Sequence, residues 1–274
     1  MPGGTTSEVR EAPVNEPSAE PKPPTSTTMA PPPVRTVGLA SPLSWLGRGW
    51  RDLWRQPMAS LFYGIAVAAT GAAILAVTAS LPYLFTAAIT GFLLVAPMLA
   101  AGLYELSRRY LAGEPARLVD SMLAWRRNPS GLVGFALVSV LAGTAWQVIS
   151  VVIIALLYKG PALAPMDMIL EILVHPRHIQ LFVAYVTVGG IMAALVFAVS
   201  VVSMPMLVDR RCDLLCALVT SVNATAENPL PLALWALLLM LLTGAGFATG
   251  LVGLIVLMPW LGHASFHAYR DLVE

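Results

Sequence analysis

Charge is scarce in this chain. Lys and Arg number 16 and Asp and Glu 15 among 274 residues, against 57% hydrophobic residues and a mean hydropathy of +0.76. No ordinary water-soluble domain has that balance, and a net charge of +1 gives no basic surface for nucleic acid. The interiors of the long apolar runs lack ionisable groups, since Glu105, Asp209, Arg210 and Arg211 all fall at the ends of runs, where surface anchoring is expected. Ionisable residues within the bilayer mark ion or proton pathways, so this lack argues against a proton-coupled transporter.

Cysteine is almost missing as well. Cys212 and Cys216 are the two present, in one surface run, which excludes a disulfide framework. A Gly-rich phosphate loop, a nucleophile elbow and a paired-histidine hydrolase motif are absent. Ser265 lies between His263 and His267 without a third orienting group. An enzyme is therefore not expected. Residues 1–40 have few large apolar side chains and hold nine prolines, a composition expected to be disordered. They also lack the apolar core of a signal peptide, which leaves the first membrane helix as the targeting signal.

What remains is apolar sequence with regular punctuation. Pro42 to Gln56 reads as an amphipathic surface helix, with Leu43, Leu46, Trp50, Leu53 and Trp54 on one side and Arg48, Arg51, Asp52 and Arg55 on the other. Spans of about 20 residues are predicted from Met58 to Ala79, Tyr83 to Leu106, Gly131 to Leu157 and Gln180 to Ser203. Pro229 to Leu261 is short for two more, with its turn expected at Gly244-Ala245-Gly246; a re-entrant hairpin is the competing reading. Gly64, Ala68, Ala72 and Ala76 give the first span a small-residue face. Further surface helices are expected at Pro115 to Asn128 and after Cys212.

Three units follow from the prolines. Pro57, Pro129 and Pro229 each close a surface helix, and Pro97, Pro205 and Pro259 each mark the exit of a second span among like neighbours. The expected fold is an all-α membrane protein of six transmembrane helices, arranged as three parallel repeats of amphipathic helix, span and span, at about residues 41–106, 115–208 and 212–269 of a 41–274 membrane domain. Of the 16 Lys and Arg residues, only Lys159 and Arg177 lie on the face opposite the tail. The positive-inside rule then puts both termini in the cytoplasm.

Two sets of side chains invite a metal. His263 and His267, four apart on one helix face, join Cys212 and Cys216 as a candidate zinc set, and the histidines alone suit a haem iron. The plainer reading is interfacial histidines beside Trp260 and Tyr269, with the cysteines as small apolar fillers. On the opposite face Asp167, Glu171, His175 and His178 share one helical sector, as the polar side of an interfacial helix also would, and Pro176 interrupts it. No cofactor is expected from either set, with zinc or haem as the alternative.

The run Pro259-Trp-Leu-Gly-His263-Ala-Ser-Phe-His267-Ala-Tyr269-Arg270-Asp271-Leu, with Ser203-Met-Pro205-Met-Leu-Val-Asp209-Arg210 and Asn228-Pro229, resembles an uncharacterised proteobacterial family of predicted integral membrane proteins. The resemblance covers about Val34 to Glu274 and implies a six-span inner-membrane protein without an assigned activity. The leading functional expectation is a non-enzymatic membrane protein acting through lipid, a membrane-protein partner or a second copy of itself. Alternatives are a passive transporter or channel built on the three repeats, and a metal- or haem-binding accessory subunit.

Overall fold

The three X-Pro steps shape the backbone alike. Gln56, Asn128 and Asn228 take φ/ψ of −138/66, −150/70 and −128/51, and the proline after each opens a new helix. The residue before proline is driven out of the helical region, while proline's fixed φ and missing N–H suit the first helical position. The computed structural model describes residues 30–81, 85–158 and 178–273, together with Met1, Gly3, Gly4 and Gly160. In chain order its helices are α1 (Ser41–Arg55), α2 (Pro57–Ser80), α3 (Phe85–Leu111), α4 (Leu118–Met122), α5 (Pro129–Leu157), α6 (Ile179–Ser200), α7 (Ser203–Asp209), α8 (Leu214–Glu227), α9 (Pro229–Ala248) and α10 (Leu254–Leu272).

Four stretches among the described residues are long and apolar enough to cross a membrane: Pro57–Ala79, Pro129–Leu157, Ile179–Asp209 and Pro229–Ala248. Their outer faces stay uncovered. Leu137, Leu141 and Leu156 of α5, Ile191 and Leu195 of α6, and Met240 and Phe247 of α9 are exposed, as hydrocarbon-facing side chains must be. The dense core lies at the other end of the molecule, where α10 packs on α1 and α2, and α7 is held among α3, α5 and α8. Trp45, Trp235, Phe266 and Tyr269 are fully buried there.

Several boundaries differ from expectation. The second surface helix is split into the five-residue α4 and a 3₁₀ turn, Ala124–Arg127, because Leu123 leaves the helical region at φ −94, ψ 7. The fourth span breaks at Val201–Val202, ahead of Pro205, which cannot donate to the preceding turn. Ser221 of α8 repairs that break: its hydroxyl donates to the Ala198 carbonyl at 2.7 Å and accepts from the Val202 N–H at 3.1 Å. The last hairpin turns at Thr249 to Gly253 rather than at Gly244-Ala245-Gly246. Gly246 is a packing residue, since a Cβ there would meet Leu254 Cδ2 at 2.3 Å, and the left-handed steps of the turn fall at Gly250, φ 65, and Leu251, φ 73. Residues 34–37, counted with the tail by composition, are held: the Arg35 N–H donates to the Leu272 carbonyl at 2.8 Å, and the Val37 N–H to Asn228 Oδ1 at 2.7 Å.

The small-residue face of α2 is used over its first half. A Cβ on Gly64 would come within 1.9 Å of the Ile255 carbonyl oxygen, and Ala68 is buried against Leu251 and Leu254. Ala72 and Ala76 are exposed, because they lie past the start of α10 at Leu254. Gly64→Ala is expected to lose about 1–3 kcal/mol through this backbone clash. Gly71→Ala is the control, as its Cβ would touch only the flexible end of Leu251, at 3.2 Å. Equal unfolding midpoints for the two variants in a detergent titration would refute the close approach.

Candidate functional site

The sequence puts Asp52 on the arginine side of α1, yet it is buried. Trp45, Gly49 and Asp52 recur at helical spacing, and this face, rather than Leu43, Trp50 and Trp54, turns inward. Gly49 allows the approach, since a Cβ there would meet the Ala264 nitrogen at 2.6 Å. Trp260 Nε1 donates to the Leu46 carbonyl at 2.8 Å and keeps α10 in register with α1.

Polar groups from α2, α3 and α10 line up in a series that ends on this α1 carboxylate. His267 Nε2 lies 2.8 Å from Asp52 Oδ2, and Ser107 Oγ of α3 lies 3.2 Å from the same oxygen. Ser107 Oγ is also 2.7 Å from His263 Nδ1, whose ring continues at Nε2 to Ser60 Oγ of α2, 2.9 Å away. An ionised carboxylate only accepts, which orients the chain. With hydrogens assigned on that basis, Ser60 donates to His263 Nε2, His263 Nδ1–H to Ser107, and Ser107 and His267 to Asp52. In this arrangement both ring nitrogens of His263 are engaged with the imidazole neutral. Arg55 Nη1, 3.5 Å from Asp52 Oδ1 and stacked 4.0 Å above the Tyr110 ring, leads from the carboxylate toward solvent.

A proton can in principle shift along such a series, but a substrate has no room. Ser60, Ser107, His263 and His267 are all at most 3% exposed. The void lined by Asp52, Gln56, Ser107, Tyr110 and His263 holds about 10 Å³, the scale of one water. His263 contacts no carboxylate directly, reaching Asp52 only through Ser107. As a hydroxyl beside an imidazole, Ser60 therefore lacks both the directly oriented base and the access that nucleophilic catalysis requires.

A second buried acid lies on α3 two residues from Ser107, on another face of the helix. Glu105, expected at a surface exit, is 1% exposed. It accepts from Arg108 Nε and Nη2 at 2.8 and 2.9 Å and from Arg109 Nε at 2.8 Å, with Arg127 Nε 3.7 Å away. Arg109 continues to Asp120 at 3.2 Å, and Arg127 donates to the Val208 carbonyl at 3.0 Å. Glu105 thus ties α3 to α4, to the 3₁₀ turn and to the end of α7. Tyr269 makes a third link, donating to Asp209 at 2.8 Å and accepting from Arg210 Nε at 2.9 Å. Asp271 makes a fourth, taking Trp45 Nε1 at 2.8 Å and the Arg48 guanidinium.

The proposed ligand sets are placed differently. Among the described residues no three His, Cys, Asp or Glu side chains gather as a metal site. His263 and His267 share the Asp52 series, whereas Cys212 and Cys216 are buried in the core around α8. Burial, then the neighbouring Cys216 and Asp213, push the Cys212 thiol up to about 11, and burial and Asp213 raise that of Cys216. Neither is a ready thiolate at neutral pH. Of the other set, Asp167, Glu171 and His175 lie outside the described residues, and His178, at the start of α6, packs 5.2 Å from the Tyr158 ring.

Asp52, Ser60 and Ser107 went unrecognised as site residues. The signal for Asp52 was its spacing from Trp45 and Gly49; for the two serines, lone hydroxyls in apolar helices, the sequence holds none. No curated protein and no solved structure matches the chain. Over residues 84–209, from α3 through α7, the chain matches the model of the family described as predicted integral membrane protein (DUF2189).

Proposed function

We propose that this is a non-enzymatic bacterial inner-membrane protein of six spans in three repeats, with both termini in the cytoplasm, acting through lipid or protein partners at its cytoplasmic face. The observation that carries the reading is the state of the three surface segments. Each keeps large apolar side chains exposed: Leu43, Trp50 and Trp54 of α1 and Val119, Met122 and Trp125 around α4, both among arginines, and Leu215, Val219 and Val222 of α8. Such faces lie in the headgroup region or against another membrane protein. The common geometry at Pro57, Pro129 and Pro229 supports the repeat. The full chain, extracted in mild detergent, is expected to carry a defined membrane protein or stoichiometric phospholipid, and Trp50→Ser with Trp54→Ser to release it. A chain that emerges alone and lipid-free, under crosslinking as well, removes this reading.

Passive transport is the second reading, favoured by an intramembrane cavity among α3, α5, α6, α9 and α10. Its apolar lining suits an apolar solute better than an ion. Metal or haem binding draws no support from His263, whose two ring nitrogens are both engaged by serines.

A further inference from the structure

Four arginines meet where two candidate membrane spans have adjoining ends. Arg126 and Arg127 close the 3₁₀ turn just ahead of α5, and Arg210 and Arg211 follow α7, the end of the Ile179–Asp209 span. With Val208 and Asp209 they line one depression of about 290 Å³. Two bonds fix its walls to each other: Arg127 Nε donates to the Val208 carbonyl at 3.0 Å, and Asn128 Nδ2 to the Cys212 carbonyl at 2.8 Å. Anions close by are engaged elsewhere. Asp209 accepts from Tyr269 at 2.8 Å and from Arg270 at 3.0 Å, and Glu105, 3.7 Å from Arg127 Nε, takes its close bonds from Arg108 and Arg109. Arg126 and Arg211 are exposed, and among the described residues neither makes an ion pair; the Arg126 guanidinium lies 5.5 Å from the Trp125 ring. Arginines that merely anchor a span end reach singly into the headgroup layer. Guanidinium groups gathered around one concavity repel each other unless an anion joins them, and their planar forks match the oxygens of a phosphate.

We infer that this depression is a binding site for a phosphate-bearing anion, held by Arg126 and Arg211 from its two walls with Arg127 and Arg210 beside them. The headgroup of an anionic phospholipid and free phosphate share this chemistry. Basic pockets between membrane helices take lipid headgroups in this way. The inference deepens the lipid reading above and rests on its placement of these span ends at the bilayer surface, but it uses the arginines and not the apolar faces.

The test uses the full chain, stripped of lipid in a neutral maltoside detergent. Phosphatidylglycerol and phosphatidylcholine with identical acyl chains are the lipid probes, their retention read by native mass spectrometry, and inorganic phosphate is the third probe, titrated by calorimetry. Phosphatidylglycerol is expected to be retained about tenfold over phosphatidylcholine. Arg126→Gln with Arg211→Gln is expected to bring the two lipids level. Arg51→Gln with Arg117→Gln removes the same charge from exposed positions outside the depression and is expected to keep the preference. Binding of inorganic phosphate that is lost in the Arg126/Arg211 variant, without a lipid preference, assigns the site to free phosphate; where both probes bind, the tighter one identifies the source. Trp50→Ser with Trp54→Ser is expected to leave the headgroup preference in place, so failure of the apolar faces and failure of this site give different results. A wild-type chain that neither prefers phosphatidylglycerol nor binds phosphate, binding that survives the Arg126/Arg211 change, or a preference lost equally in the Arg51/Arg117 control overturns the inference.

Discussion

Replacing Glu105 by alanine is expected to destabilise the protein by about 3 kcal/mol, the lower end of the cost of removing one partner from a buried ion pair. Three bonds from Arg108 and Arg109 are lost, and Arg127 loses its nearby anion. The loss is held down because Arg108 keeps Glu114, Arg109 keeps Asp120 and Arg127 keeps the Val208 carbonyl. Glu105→Gln retains the volume but brings an amide N–H₂ toward a guanidinium, so it should fall between wild type and alanine. A reversible denaturant titration in detergent reads the series. An alanine variant within about 0.5 kcal/mol of wild type, the range of an ordinary surface change, would mean that Glu105 is a peripheral anchor after all.

Asp52→Ala should cost as much or more, about 3–5 kcal/mol, because it removes the acceptor at the end of the buried series. His267 and Ser107 lose their shared partner in an environment without solvent to replace it. The penalty should shrink along the series, so that Ser60→Ala, at its far end, costs about 1 kcal/mol, the worth of a typical hydrogen bond. A double-mutant cycle between Asp52→Ala and His267→Ala isolates their contact, and a coupling above about 0.5 kcal/mol is expected for directly bonded partners. Additive losses would mean that the imidazole and the carboxylate act separately.

Local rules made much of the fold legible. Gln56-Pro57, Asn128-Pro129 and Asn228-Pro229 mark helix starts because proline acts on its immediate neighbours, and Gly64 marks a helix contact because only a missing side chain permits it. The turn of the last hairpin was misplaced for the same reason: Gly246 and Gly250 look alike in sequence, and only the packing of Leu254 separates their roles. The polar series was beyond such rules. Asp52 meets His267 across 215 positions and Ser60 meets His263 across 203, so neither burial can be read from nearby residues. The spacing of His263 and His267 showed a shared helix face, but not that a carboxylate from α1 would occupy it. The family resemblance had rested partly on Pro259 to Leu272, which lies beyond the matched segment 84–209.

Asn228 closes a connection that the order of the helices does not reveal. Its side chain holds Val37 and Arg35, and Val34 pairs with Val273 at the end of α10. The strand-like segment entering the first helix is therefore fastened to the exit of the last. Among the described residues the bundle is a closed circuit rather than an open row, its first and last helices fastened to each other. A disturbance where the chain enters is felt where it leaves, and anything attached just before Val34 stands beside anything attached after Val273.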